Sequence, residues 1–180
     1  MTVPESESRP AALPSTGTSS GRRRRSGPDS HRDRGKSTRR RSREIVLQGL
    51  YEWLISGSDL TLIDAHMREQ DDFSRCDLAH YGVLLRGCIE GASQLDVVLA
   101  QHADRKTTEL SPVEHAVLLI GAYELKYCID IPYRVVINES VELAKSFGGT
   151  DGHRYVNGVM DKIAMDLRPD EATNAQHKRA

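Results

Sequence analysis

Apolar residues return every three or four positions along most of the chain from Arg39 onward, the spacing of helices with one buried face. A first helix is expected from about Arg39 to Ser56. Val46, Leu50, Trp53 and Leu54 form its stripe, with Tyr51 at the edge. Gly57-Ser58-Asp59 reads as a turn, Leu60 to Glu69 as a second helix, and Asp71-Asp72 as a break. A long third helix is expected from about Arg75 to His102, with Leu78, Tyr81, Leu85, Cys88, Ile89, Ala92, Leu95 and Leu99 on one side. Gly82, Gly87 and Gly91 each weaken it by ~1 kcal/mol relative to Ala, and two readings stay open for them: close helix packing, or a bend. Ser111-Pro112-Val113-Glu114 is a capping box, with Ser at N-cap, Pro at N1 and Glu at N3. The helix it opens, to about Cys128, is apolar around most of its circumference, which predicts a central, buried position.

The chain is organised around Ile131 to Ile163, which reads as two helices joined by a short glycine loop. Pro132 suits a first helical turn. Val136, Ile137, Val141, Leu143, Ala144 and Phe147 share one arc, and Arg134, Asn138, Glu142 and Lys145 share another. Gly148 stands where a residue of positive φ is expected after a helix, and Thr150 or Asp151 can cap the next one. That helix carries Val156, Val159, Met160, Ile163 and Leu167 on one stripe and Arg154, Asn157 and Asp161 on the other, and Pro169 ends it. No segment alternates with period two over a useful length, so no sheet is expected and the fold class is all-α.

Charge divides this picture in two. The net charge of −1 hides 12 Lys+Arg against 4 Asp+Glu up to Arg43, and 13 against 22 from Glu44 onward. A basic arm of net +8 precedes an acidic body of net −9. The arm points to an anionic partner, nucleic acid first, and the body has surface to offer a basic one. Residues 1–38 are rich in Ser, Pro, Gly and Arg and poor in large apolar side chains, so this segment is expected to be disordered. Its Arg22 to Arg25 cluster lacks interleaved aromatics. It can attract phosphates without reading bases, or serve only as a solubilising tail. Arg39, Arg40, Arg41 and Arg43 oppose the dipole at the expected start of the first helix, and their placement asks for a compensating anion.

Catalytic chemistry has little support. The seven histidines are scattered, and none pairs with Cys, Ser or Asp at a ligand or triad spacing. Gly35-Lys36-Ser37-Thr38 imitates the end of a phosphate-binding loop, but the required earlier glycine is Ser30 and no strand precedes it. Cys76, Cys88 and Cys128 are far apart and odd in number, which fits small core residues in a reducing compartment better than disulfides or zinc. No enzyme activity, metal or cofactor is expected. The N-terminus has no apolar signal-peptide core, and the longest apolar run, Ala116 to Ala122, is too short to span a membrane. A cytoplasmic protein is expected.

The segment PYRVVINESVELAKSFGGTDGHRYVNGVMDK resembles the NusB family of bacterial RNA-binding transcription antitermination factors. The arginine run resembles a second element of that family, and the likeness extends from about Arg39 to Arg168. It implies a compact domain of about six to seven helices in two small bundles over 39–168, preceded by the arm and followed by a flexible tail, 169–180. It implies a non-enzymatic role, binding single-stranded boxA-type RNA of ribosomal RNA operons together with ribosomal protein NusE. Other Nus factors and RNA polymerase complete the antitermination complex. Residues matching the family's RNA surface are Arg39, Arg40, Arg41, Arg43, Gly148, Asp151, His153, Arg154 and Asn157; those matching its NusE face are Tyr51 and Glu114. Residue chemistry leaves alternatives open. Asn157 can contact RNA or bond local backbone, His153 can contact RNA or pack on Tyr155, and Glu114 can meet a NusE cation or serve only its capping box. The first 38 residues exceed the family's usual N-terminus, and Ser42 interrupts the arginine run where a small apolar residue is usual. The other reading is a NusB-like interaction or ribosome-biogenesis module that reads no RNA sequence. A NusB-like domain also precedes some RNA cytosine methyltransferases, but Ala180 leaves no room for a cofactor-binding domain.

Overall fold

Each apolar stripe finds its partner around one central helix. A computed structural model describes residues 29–177, whose elements are α1 (Asp29–Ser56), α2 (Leu60–Arg68), α3 (Leu78–Glu90), α4 (Ala92–His102), α5 (Pro112–Tyr127), α6 (Tyr133–Phe147), α7 (Gly152–Leu167) and α8 (Pro169–His177). Two 3-10 turns, Phe73–Arg75 and Thr107–Glu109, lie in the connections, and no strand occurs among the described residues. Arg22 to Arg25 and most of the basic arm lie outside them.

Helix α5 is the shared wall of two bundles. It packs against α1 and α3 on one side and against α4, α6 and α7 on the other. Its run from Ala116 to Ala122 is buried throughout, as its nearly all-apolar circumference demands. The capping box forms as the sequence implies: Ser111 Oγ accepts from Glu114 N at 3.2 Å, and Glu114 Oε2 accepts from Ser111 N at 3.2 Å.

Four features depart from the sequence reading. Helix α1 begins at Asp29 rather than Arg39, so the arginine run sits inside a helix and does not oppose the dipole at its start. The expected long third helix is two, and both readings of its glycines occur: Gly91, at φ −93° and ψ 2°, ends α3 and starts α4 at a bend, while Gly87 packs closely on α5, where a Cβ would collide with the Tyr123 ring. Gly148 has φ −92° and ψ −180°, an extended conformation without positive φ; a Cβ there would stand 2.6 Å from Ala144 O, so close approach is what favours glycine. Pro169 ends α7 but also opens α8, so the expected flexible tail is helical to His177, with Ala172 buried.

Arg168 joins these last elements. Its guanidinium is buried and donates to the carbonyls of Leu125 at 2.7 Å, Ile131 at 2.6 Å, Glu124 at 2.9 Å and Cys128 at 2.9 Å. Leu125 lies in the last turn of α5, where carbonyls run out of partners within the helix, while Glu124 O also accepts from Cys128 N and Cys128 O from Ile131 N, both at 3.0 Å. Arg168 therefore closes the central helix from the far end of α7.

Candidate nucleic-acid interface

The arginine run divides by its helical position. Arg39 and Arg40 are each 43% exposed, Arg41 is half-buried, and Arg43 is 3% exposed. Arg43 turns into the core, where Nε donates to both Glu124 oxygens at 3.0 and 2.9 Å. Glu139 lies 3.5 Å from Arg43 Nη1, and His80 Nε2 lies 3.0 Å from Glu124 Oε1. A fully buried carboxylate needs such company to remain charged. Burial pushes the Glu124 carboxyl up, but the His80 imidazole 3.0 Å away and the Arg43 guanidinium more than offset it, and the net direction is down. Arg43 of α1, His80 of α3 and Glu124 of α5 thus tie three helices together. The expectation that Arg43 touches RNA is corrected on that ground: its charge faces inward.

The remaining arginines meet the compensating anion that their clustering asks for, and the protein supplies it. Arg39 stands 3.5 Å from Asp77 and 3.3 Å from Asp130; Arg40 is 3.5 Å from Glu44; Arg41 reaches Glu44 and Asp72, both at 2.9 Å. Ser42 is wholly buried, and its hydroxyl donates to Asp77 O at 2.8 Å. Asp77 N in turn bonds Thr38 O at 3.3 Å, so the α2–α3 connection is pinned along the arginine turn of α1. That connection brings in Arg75, which sequence spacing could not associate with the run. With Arg40, Arg41, Glu44 and Asp72 it lines a cleft of about 280 Å³.

The second expected contact region is the α6–α7 loop and the start of α7. Gly148 is half-buried, while Asp151, Arg154 and Asn157 are exposed. Arg154 lies 3.5 Å from Asp151, and Asn157 Nδ2 donates to Asp161 at 3.0 Å, a side-chain bond one turn on rather than the backbone bond considered from sequence. His153 is half-buried, and Arg105 lies over the neighbouring Tyr155 ring, 4.4 Å from its centre. On α6, the Glu142 carboxyl is held below its ordinary range first by the hydrogen bond from Lys145, 2.8 Å away, and then by the Lys145 charge.

Tyr51 and Glu114 have separate surroundings. Tyr51 is 44% exposed and lines an α1–α2 groove with Ile55 and Met67. Glu114 Oε2 serves the cap, accepting from Ser111 Oγ at 2.8 Å, and Oε1 faces α7: a Cβ on Gly152 would stand 3.1 Å from it. Among the described residues no helix is long and apolar enough to cross a membrane, and no cluster of three His, Cys, Asp or Glu gathers to hold a metal.

Comparison with known proteins agrees with this architecture. A model of the NusB family matches residues 40–165. The chain is 49% identical over 170 residues to the transcription antitermination protein NusB of Acidovorax sp. (strain JS42), covering 94% of this chain and 92% of that protein. It is 55% identical over 144 residues to the NusB of Paraburkholderia phymatum, covering 80% of this chain and 99% of that one. The Acidovorax match takes in most of the first 38 residues, so the arm is not peculiar to this chain. Among solved structures, NusB of T. maritima superposes with a TM-score of 0.66 at 30% identity, covering 76% of this chain and 96% of its own. A crystal structure of NusB and NusE in complex with dsRNA matches in fold, with a TM-score of 0.63 at 20% identity over 72% of this chain and 97% of that one.

Proposed function

This chain belongs to the NusB family, and from that premise we propose that it is a non-enzymatic, RNA-binding transcription antitermination factor. It acts in the cytoplasm on boxA-type RNA of ribosomal operons, with ribosomal protein NusE as its partner and with other Nus factors and RNA polymerase in the complex. The observation that carries the RNA reading is the exposed cationic face of α1, where Arg39 and Arg40 are each 43% exposed and meet carboxylates only at 3.3–3.5 Å. It supports a surface with two duties. Arg39, Arg40 and Arg41 meet phosphates, and Gly148, Asp151, His153, Arg154 and Asn157 meet unstacked bases, the two kinds of contact that single-stranded RNA offers.

The pairing of Arg39, Arg40 and Arg41 with carboxylates does not oppose this reading. Exposed ion pairs such as those of Arg39 and Arg40 are worth about 0–1 kcal/mol, so a phosphate can exchange with them at small cost, while Arg41 stays held by its half-buried pairs. The same pairing favours the second reading, an interaction module that reads no RNA sequence, if the partners hold. Tyr51, in its apolar groove, and Glu114 form the NusE face, and the net −9 of the chain from Glu44 onward suits a basic ribosomal protein. The deciding experiment is titration of a single-stranded boxA-like RNA and a scrambled RNA of equal length, with and without NusE. Preferential, salt-weakened binding of the boxA-like strand, tightened by NusE, is expected. Equal binding of both strands favours the interaction module.

A further inference from the structure

The cleft beside the arginine run contains a cation that lies outside every motif. Arg75 closes the 3-10 turn Phe73–Arg75 between α2 and α3, 34 positions after Arg41 in the chain. Its side chain is 77% exposed and its Nη1 lies 3.2 Å from Asp72 Oδ1. Across the cleft, Arg41 Nη2 holds the other oxygen of Asp72 at 2.9 Å while Arg41 Nη1 holds Glu44 at 2.9 Å. Arg40 shares Glu44 only at 3.5 Å. Three guanidinium groups therefore surround an opening of about 280 Å³ that contains two carboxylates, both held chiefly by Arg41. Arg41 Nε is buried with no hydrogen-bond partner, leaving an unused donor at this cluster.

Resting on the RNA reading above, we infer that this cleft is a phosphodiester site and that Arg75 is its third cationic arm. Arg41, fixed by Glu44 and Asp72, is the floor. Arg40 and Arg75 are the arms that close on a backbone phosphate, because their own pairs are long or exposed and therefore weak. A planar guanidinium on either side suits the tetrahedral oxygens of a phosphodiester. The backbone segments that carry the arms are held side by side by the hydrogen bonds from Ser42 Oγ to Asp77 O at 2.8 Å and from Asp77 N to Thr38 O at 3.3 Å, which anchor the residues just after Arg75 to α1. The cleft reads no base and contributes register and affinity only.

Asp72 and Arg75 give the inference opposite signs to test. The full-length protein is titrated with single-stranded boxA-like RNA across a salt series, with thermal melts as the control for folding. Arg75→Ala is expected to weaken binding several-fold and to lower the log–log salt slope by about 0.7, one phosphate contact on a single strand. Arg75→Lys keeps the slope. Asp72→Asn is expected to tighten binding, since it releases Arg75 and Arg41 from a competing carboxylate. Arg86→Ala, an exposed arginine on α3 paired with Glu90 at 3.6 Å, is expected to bind as wild type. An unchanged slope for Arg75→Ala, or no tightening for Asp72→Asn, overturns the inference. If Arg40→Ala still weakens binding in that case, the RNA function stands without the cleft. If the wild-type protein does not bind the RNA, both readings fall.

Discussion

Neighbouring arginines in one run do different work, and the difference is one of angle around α1. Arg43 is enclosed with Glu124 and His80, so Arg43→Ala is expected to cost about 3–5 kcal/mol by leaving a buried carboxylate short of its partner. Arg40→Ala, which loses a 3.5 Å pair to Glu44 at the surface, is expected to change stability by less than about 1 kcal/mol. Urea unfolding of the two variants checks this; equal small changes would contradict the buried tie between α1, α3 and α5. Glu114 separates two roles by substitution. Glu114→Gln keeps an N3 group able to cap, so melting is expected to hold while NusE affinity falls by about 0.5–3 kcal/mol. Calorimetric titration with NusE measures it, and wild-type affinity would leave Glu114 a purely structural residue. The site was partly legible in the sequence because its residues fall in two contiguous blocks. Arg43 was misjudged because sequence adjacency does not say which arginine of a helical turn faces inward, and the pairing of Glu124 with an arginine 81 positions away depends on packing. Arg75 gave no signal, since its turn comes alongside α1 through contacts between distant segments, the Asp77–Ser42 and Asp77–Thr38 hydrogen bonds and the Arg41–Asp72 pair.

Elements with strong periodicity and explicit caps were the easiest to foresee. Helices α2, α5, α6 and α7 lie within a few residues of the expected spans, and Asp59 caps α2 through bonds to Thr61 N at 2.8 Å and Leu62 N at 3.1 Å. The errors fall where periodicity continues through a backbone event. The stripe from Tyr81 to Leu99 stays apolar across Gly91, so pattern alone could not show that α3 and α4 are separate. Leu78, expected in that stripe, is exposed because α3 starts there rather than at Arg75. Helix α8 has too few apolar residues to announce itself; Ala172 alone of its described side chains is buried. Its attachment depends on Arg168 and on Glu171, which accepts from Tyr133 N at 3.2 Å. Arg168→Ala would remove the donor from the Leu125 and Ile131 carbonyls, each worth about 1–3 kcal/mol when left unsatisfied. A loss of about 2–6 kcal/mol in unfolding free energy is expected, and a loss under about 1 kcal/mol would show that water replaces the guanidinium.

At the scale of the whole molecule, charge is distributed so that the core resists acid only to a point. Glu124 lies below its ordinary value because His80 and Arg43 outweigh its burial, and Asp77 is lowered chiefly by the backbone N–H of His80. A carboxyl depressed in the folded state contributes stability in full above its unfolded value, about pH 4, and loses that contribution as pH falls through the folded value. Melting temperature is therefore expected to fall steeply below about pH 4, and a flat profile from pH 5 to 3 would deny the buried tie its role. Removing residues 1–28, which hold few large apolar side chains, is expected to leave melting near wild type. A drop of many degrees would show that they dock on the body. The central claim is that α1 presents cations to an RNA strand, and the salt dependence of binding tests it most directly. Wild type and the Arg40→Ala/Arg41→Ala variant are titrated with single-stranded boxA-like RNA over a range of salt, with melts alongside. Losing the phosphate contact that these two arginines share should flatten the log–log slope by about 0.7. A variant that remains folded and keeps the wild-type slope and affinity would contradict the claim.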